Sequence, residues 1–209
     1  MGKKKFISIM ALFVFGIMVF TACKTIQDIQ NTLTNIKNLQ FRLKSIDNFK
    51  LAGIGVANKN TLNDFSITDG LKLTQAFSGN RFPAEFVLNV EAKNPNDGTG
   101  TNKSSSLALE RLRWTLYIDN VRTIDGDITN KIEVPAKGGS TIIPIFINFD
   151  LYEFFGNRGY EGIVKLALAL GGVKGNTSSI RMEALPVIRT PLGLMEMGEV
   201  TIVDHKFTS

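Results

Sequence analysis

The feature that most constrains this chain is the stretch from Phe86 to Gly98, where an alternating segment runs directly into a turn. In an extended chain, Phe86, Leu88, Val90 and Ala92 lie on one side, and the intervening, mostly polar residues lie on the other. A period of two is typical of a half-buried β-strand. Asn94-Pro95-Asn96 then ends the strand, because Pro95 donates no ladder hydrogen bond and asparagine accepts turn geometry.

Similar segments recur along the chain and predict a mainly β, antiparallel fold. Leu107–Ile118 also alternates, and the turn signal Asp119-Asn120 makes Val121–Ile128 its hairpin partner, interrupted at Asp125-Gly126-Asp127. Further strands are predicted over Phe49–Val56, Phe82–Lys93, Thr141–Phe149, Thr177–Ile188 and Glu199–Phe207. Pro144 indicates an edge position or a bulge in its strand.

One helical region interrupts the strands late in the chain. Asp150 can cap a helix starting at Leu151, and Tyr160–Leu170 has a helix-compatible composition that Gly171-Gly172 ends. The segment Asn60–Asn80 fits either a short helix, capped around Thr68-Asp69-Gly70, or a strand. The stretch TPLGLMEMG reads as a linker, and its methionines, Met195 and Met197, as packing residues.

The N-terminus has the organisation of a bacterial export signal. Three lysines precede the apolar run Phe6–Ala22, and small residues lead to Cys23. Thr21-Ala22-Cys23 resembles the end of a lipobox, so we expect cleavage after residue 22 and acylation of Cys23. Phe20 departs from the usual pattern, which has leucine at that position. A retained membrane anchor and an unmodified thiol are the alternatives, since the run is at the lower edge of the ~17–25 residues that span a bilayer.

A stripe of apolar residues follows Cys23 at spacings of three and four and predicts an amphipathic helix over residues 24–46. Its members are Ile26, Ile29, Leu33, Ile36, Leu39, Leu43 and Ile46. Three interpretations remain open: a helix packed on its own domain, a partly helical tether, and an oligomerising coil. The expected organisation is a signal peptide over 1–22, a lipidated helical tether over 23–45 and a β domain over 46–209.

Charge and cysteine content exclude several classes of protein. The chain carries 24 Lys and Arg against 19 Asp and Glu, and removal of the three signal lysines leaves it near neutrality. Nucleic-acid binding needs a concentrated basic face, so no nucleic-acid partner is expected. A single cysteine allows neither an intramolecular disulfide nor a cysteine-rich metal site.

Catalytic chemistry is not indicated, and we expect neither an enzyme, nor a cofactor, nor an identifiable small-molecule substrate. His205 is the only histidine, lies in the last predicted strand and reads as a surface residue. Oxygen ligands for calcium are conceivable in two turns, but the same residues are ordinary turn formers, so no metal site is predicted. They are Asn94, Asn96 and Asp97 in one turn, and Asp125 and Asp127 in the other.

The order of these motifs resembles the late-embryogenesis-abundant type 2 domain, also called the water-stress and hypersensitive-response domain. The resemblance rests on Asn94-Pro95-Asn96 after a strand, the strand Trp114–Asp119, Asp125-Gly126, Val134-Pro135-Ala136 and an apolar strand containing Pro144. It implies an antiparallel β-sandwich near the immunoglobulin and fibronectin type III architectures, with one helix. It also implies a non-enzymatic role in stress tolerance, with Asn94, Pro95 and Asn96 as a structural turn.

These observations predict a stress-related structural or binding module of the bacterial cell envelope, held on a membrane by lipid on Cys23. The expected location is the outer membrane, facing the periplasm, with envelope proteins as partners. The alternative is an accessory lipoprotein that holds an apolar ligand between its sheets, for transport or for a partner enzyme. The chain has 15 phenylalanines, which leaves room for such a pocket.

Overall fold

The structure, a computed structural model, describes residues 26, 39–56, 59, 61–95, 106–173, 175–190 and 193–207. The signal segment, Cys23 and Asn96 lie outside these residues. The described strands are β1 (Gln40–Leu51), β2 (Ile54–Gly55), β3 (Pro83–Lys93), β4 (Leu107–Ile118), β5 (Val121–Ile128), β6 (Ile132–Val134), β7 (Ser140–Asp150), β8 (Ser178–Thr190), β9 (Gly193–Glu196) and β10 (Val200–Phe207). The described helices are α1 (Ile67–Ser78), α2 (Leu151–Phe155) and α3 (Gly159–Leu170), with short 3-10 turns at Leu62–Asp64 and Gly156–Arg158.

The strands form two antiparallel sheets, so the predicted mainly β, antiparallel class is confirmed. The four-stranded sheet has the order β2-β1-β3-β7, and the larger sheet has the order β10-β8-β4-β5. In the larger sheet, β6 also pairs with β4, and β9 pairs with β8. β7 lies at the edge of its sheet, as Pro144 indicates.

One hydrophobic core joins the inner faces of both sheets. Phe86, Leu88, Val90 and Ala92 of β3 are all buried, which confirms the alternation in that strand. Phe86 stacks on Phe49 of β1 with ring centroids 5.0 Å apart. Complete burial of such a side chain contributes about 1.5–3 kcal/mol. Helix α3 covers the same core with almost every residue of its second half.

The helix predicted through Ile46 is wrong from residue 40 onward, because Gln40–Leu51 is strand β1. The register of β1 against β3 shifts between Leu43 and Ser45, and such a bulge restores the inward direction after an odd step. Leu43 and Ile46 therefore both pack against the core, although they are three residues apart as in a helix. The β domain includes residue 40, so the boundary at 46 is also wrong.

The strand predicted over Phe49–Val56 is divided in two. β1 ends at Leu51, and β2 returns over Ile54–Gly55 through a tight turn in which Ala52 and Gly53 have φ angles of 47° and 76°. Two-residue turns with positive φ angles match the twist of a hairpin.

The open segment Asn60–Asn80 contains helix α1, so the expectation of one helical region in the domain is wrong. Its cap is Ser66, whose Oγ accepts a hydrogen bond from the Asp69 amide at 3.1 Å, while the Asp69 carboxylate accepts from the Ser66 amide at 3.2 Å. This reciprocal cap places the capping residue immediately before Ile67, the first residue of the helix. The hydrogen bonds from Ser66 also lower the pKa of Asp69.

The late helical region and the central hairpin agree more closely with the predictions from the sequence. Asp150 caps α2 through a 2.9 Å bond from the Tyr152 amide, as predicted. The β4–β5 hairpin forms at Asp119-Asn120, but β5 continues through Gly126 without the predicted interruption. A Cβ at Gly126 would lie 2.0 Å from the Trp114 ring, so glycine makes room for that ring within the strand. The segment TPLGLMEMG, predicted as a linker, contains strand β9 over Gly193–Glu196.

Candidate binding groove

A groove lies between the edge strand β7 of the four-stranded sheet and residues 127–133 of the larger sheet. At its upper end, the Thr141 hydroxyl of β7 donates a 2.6 Å hydrogen bond to the Glu133 carbonyl of β6, which joins the edges of the sheets. Below this point β7 and the end of β5 separate and leave a groove of about 560 Å³. Its lining combines an apolar floor with a polar rim formed by Asp127, Thr129, Asn130, Lys131 and Glu133.

The floor of the groove follows from the alternation of β7. Ile143 and Ile145 point inward and are buried, and they face the buried side chains of Trp114 and Ile132 from the larger sheet. The residues that alternate with them, Ile142, Pro144 and Phe146, point outward. Ile142 is 44% exposed and Phe146 is 77% exposed. β7 is therefore apolar on both faces, which is unusual for an edge strand.

The charged groups on the rim are held in ion pairs. Arg111 donates two hydrogen bonds to Asp127, and Lys131 pairs with Glu133. The hydrogen bond from Arg111 lowers the pKa of Asp127, and the hydrogen bond to Glu133 raises the pKa of Lys131. Both groups thus keep their charges at neutral pH, so they serve to position and screen and are not poised for proton transfer.

The outer face of the six-stranded sheet continues this pattern of ion pairs. Arg113 pairs with Glu196, and the Arg181 guanidinium lies 4.1 Å from the centroid of the Tyr117 ring. The further pairs on this sheet are Arg122 with Asp125, Arg181 with Glu183, and Arg189 with Glu110. The face is a ladder of alternating charges in which each described carboxylate named here has an arginine partner.

A denser polar cluster lies at the lower end of that sheet, around the β4–β5 turn. The Asp119 carboxylate accepts hydrogen bonds from the Ser178 hydroxyl at 3.0 Å and the Ser179 amide at 2.8 Å, and it pairs with Arg158 at 2.7 Å. Burial raises the pKa of Asp119, but the bonds from Arg158, Ser179 and Ser178 outweigh burial, so its pKa lies below the ordinary value. These contacts tie the turn to β8 and to the helical region.

The predicted structural turn lies at the upper end of the groove strand. Asn94 is fully buried, and its backbone N–H donates a 2.9 Å hydrogen bond to the carbonyl of Gly139, the residue immediately before β7. Pro95 follows at the surface of the strand end. The turn therefore joins the end of β3 to the start of β7. Asn96 lies outside the described residues, as does the lipidation site Cys23, and both stay predictions.

The other residues singled out in the sequence lie apart from the groove or in ion pairs. His205 is exposed on the edge strand β10, as expected, with its ring centroid 4.6 Å from that of Phe207. Asp125 binds Arg122 and the Thr115 hydroxyl. Met195 and Met197 pack against the core. Among the described residues, no group of three or more His, Cys, Asp and Glu side chains is placed to hold a metal ion.

Sequence reasoning missed the groove, although β7 carried a signal for it. The segment TIIPIFINF has apolar residues at consecutive positions and so cannot place them all in the core. An edge strand with two apolar faces indicates that its outer side contacts something. Strand β6 of the other sheet, which closes the upper end of the groove, is only three residues long and is too short to be recognised from its sequence.

Comparisons with known proteins do not assign a family. No protein-family profile matches the chain, and no characterised protein matches it by sequence. Similar solved structures include a protein from Archaeoglobus fulgidus, with 15% identity, a TM-score of 0.36 and coverage of 61% of this chain and 86% of the other.

Two further similar structures were determined in solution. One is a candidate late embryogenesis abundant protein, with 13% identity, a TM-score of 0.39 and coverage of 94% of this chain and 86% of the other. The other is an Arabidopsis thaliana protein, with 14% identity, a TM-score of 0.34 and coverage of 57% and 71%. Within the described part of the chain, no helix has the length and apolar character needed to cross a bilayer.

Proposed function

We propose that this protein is a lipid-anchored, non-enzymatic binding module of the bacterial cell envelope, with a stress-related role of the kind that its resemblance to the late-embryogenesis-abundant type 2 domain implies. The lipobox-like Thr21-Ala22-Cys23 supports the anchor. Two antiparallel sheets around one core support a sandwich of the immunoglobulin or fibronectin type III kind.

The observation that carries the binding role is the groove between β7 and β5–β6. Its apolar floor and ion-paired rim combine burial for an apolar segment with polar groups that can orient it. Because the groove runs along an edge strand, an extended segment of an envelope protein can lie beside β7 and place alternate side chains on the floor. A partner protein with such a segment is the ligand class we infer.

Retention of an apolar small molecule is the second candidate function, and one observation favours it. Ile143, Ile145, Ile132 and Trp114 form an apolar surface between the edges of the two sheets. The groove is open along its side, so an acyl chain bound there would keep much of its length in water. A peptide segment fits this open shape better, because its backbone can stay in contact with water while alternate apolar side chains lie on the floor.

The anchor is tested by mass spectrometry of the protein from membrane and soluble fractions of its own cells. The expected result is a membrane-bound chain starting at Cys23 with acyl groups on that residue. An intact chain starting at Met1, or an unmodified protein in the soluble fraction, would show that the lipoprotein proposal is wrong.

The groove is tested through Trp114, which lines it and is the only tryptophan of the chain. Its fluorescence would be followed during titration with laurate and, separately, with a capped nonapeptide of alternating valine and threonine. We expect the peptide to shift the emission of the natural protein and of Val121→Asp, but not of Ile128→Asp.

The two variants are matched, because both positions lie in β5 and are not fully buried, and only Ile128 lines the groove. A shift with laurate alone would favour retention of an apolar ligand. No shift with either probe, or equal loss in both variants, would contradict a binding role for the groove.

A further inference from the structure

The outer face of the four-stranded sheet is divided into a polar half and an apolar half. Over β1 and β3 it is polar: Arg42 pairs with Glu91, and the Asn89 amide donates to Ser45 at 3.0 Å and to Asp47 at 2.6 Å. These polar groups form hydrogen bonds and an ion pair with one another across the two strands, so this half is typical of a solvent-exposed surface.

The half over β7 has the opposite character. Register places Ile142 beside Glu91, Pro144 beside Asn89 and Phe146 beside Val87. Ile142, Pro144 and Phe146 thus form an apolar column on the outer face, and a hollow of about 650 Å³ lies next to Phe146 and Val87. β7 has no charged residue from Ser140 to Phe149, so the usual protection of an edge strand is limited to Pro144.

The sequence of the same chain predicts a second apolar surface. Residues 24–38 carry Ile26, Ile29, Leu33 and Ile36 on one side at helical spacing. Ile26, which the structure describes, is helical and 57% exposed. An isolated helix of this length is marginal in water, so its apolar side needs a surface to pack against.

The chain enters the sheet close to the apolar column. Gln40 pairs with Lys93, and Lys93 pairs with Ser140, so the start of β1 lies two strand spacings, about 10 Å, from the start of β7. A helix over residues 24–38 would be about 22 Å long. The outer face of β7 from Ser140 to Asn148 extends about 27 Å, so the segment and the column match in length.

We propose that residues 24–38 fold back as a helix over the apolar half of the four-stranded sheet, with Leu33 and its neighbours in the stripe covering Ile142 and Phe146. This inference concerns the outer face of β7 and does not depend on a ligand in the groove. Because the helix would run back along the sheet, Cys23 would lie toward its far end. An acyl chain on Cys23 would then hold this side of the domain against the membrane.

The composition of the segment favours this occupant over a membrane surface. Residues 24–38 contain two lysines and one aspartate among threonine, asparagine and glutamine. Helices that lie in a membrane interface usually carry many basic residues on the polar side. A covalently joined segment also has an effective concentration in the millimolar range, which favours intramolecular packing.

A second copy of the chain is a weaker occupant of the column. Edge-to-edge pairing through β7 would meet Pro144 in the middle of the strand, where no backbone N–H is available. A coil of two copies of residues 24–38 would have about two heptads, which is short for stable association.

Hydrogen exchange of the mature chain tests the proposal, with Cys23→Ser to keep it in aqueous solution. Because an isolated helix of 15 residues protects its amides little, protection of residues 27–37 reports packing. We expect these amides to exchange at least tenfold more slowly than in the corresponding free peptide. Phe146→Ser should abolish this protection, while Leu194→Ser, which changes an exposed leucine on the other sheet, should leave it intact.

A second pair of variants tests the segment itself. Leu33→Asn should abolish the protection, and Thr34→Asn, on the polar side of the same turn, should not. Unprotected amides in the natural sequence would show a tether and overturn the proposal. Protection that rises with protein concentration would indicate a second copy, and protection that appears only with anionic vesicles would indicate a membrane; either result would also overturn it.

Discussion

The outer faces of the two sheets differ in the side chains that they expose to solvent. The six-stranded sheet carries arginines and carboxylates in alternation, as in the pair Arg111 with Asp127 and the pair Arg113 with Glu196. The four-stranded sheet is polar over β1 and β3 but apolar along β7, where Phe146 is the most exposed aromatic side chain described. Both sheets share one core, so the difference is a property of the surfaces alone.

The comparison separates surface residues that only solubilise from those that indicate contact. Exposed ion pairs contribute little stability each, because solvent screens the charges and two side chains lose freedom. An exposed apolar column adds nothing to a monomer and increases its tendency to associate. We therefore expect the charged face to stay exposed to solvent and a further element to pack on the apolar column of β7.

The largest expected effect on stability concerns the glycine within the charged sheet. Gly126→Ala should lower the free energy of unfolding by about 2 kcal/mol, because the new methyl group would overlap the buried Trp114 ring. Urea unfolding followed by circular dichroism measures the change. Gly70→Ala is the control, since its methyl group meets open space in helix α1 and should stabilise by up to about 1 kcal/mol. Equal effects would mean that Trp114 does not fix β5.

A smaller effect is expected at the turn that ends the same sheet. Asp119→Asn keeps an acceptor for Ser178 and Ser179 but loses the charge that pairs with Arg158. We expect a loss of about 1 kcal/mol at neutral pH, limited by the partial exposure of the pair.

The pH dependence of unfolding checks the cause of that loss. The pKa of folded Asp119 lies below its ordinary value of 3.8, so its contribution is present above that value and is lost as pH falls through the folded pKa. The stability difference between the natural protein and Asp119→Asn should therefore shrink below about pH 4. A difference that stayed constant down to pH 2 would argue against an ionised Asp119 as the source.

The smallest effect is expected on the ladder itself. Arg111→Gln removes the partner of Asp127, but both side chains are open to solvent and other cations are near, so no measurable change in unfolding free energy is expected. Urea unfolding at low and at 0.5 M salt provides the measurement. A clear destabilisation at low salt that disappears at high salt would show that the face stabilises the sheet as a network.

Much of the fold could be predicted from local patterns. The alternation in β3 and β4, the turn at Asp119-Asn120 and the Asp150 cap each depend on neighbouring residues, and the structure has all of them. The position of Pro144 at a sheet edge was also readable, because proline cannot donate to a second neighbour.

The errors occurred where tertiary contacts override local spacing. Leu39, Leu43 and Ile46 have helical intervals, yet a bulge in β1 turns the last two toward the core of a sheet. Gly126 reads as a strand breaker until the Trp114 ring is placed above it. The groove depends on how the edges of two sheets are placed relative to each other, and no local pattern reports that placement. The lipid anchor at Cys23 stays a prediction of the sequence.

The pairing of β4 also has a consequence for how the chain folds. β4 lies between β5 and β8, and Trp114 is in register with Ala184, 70 residues later. The larger sheet therefore cannot be completed until nearly the whole chain has been synthesised. Long-range strand pairing of this kind is slow, on the order of milliseconds to seconds.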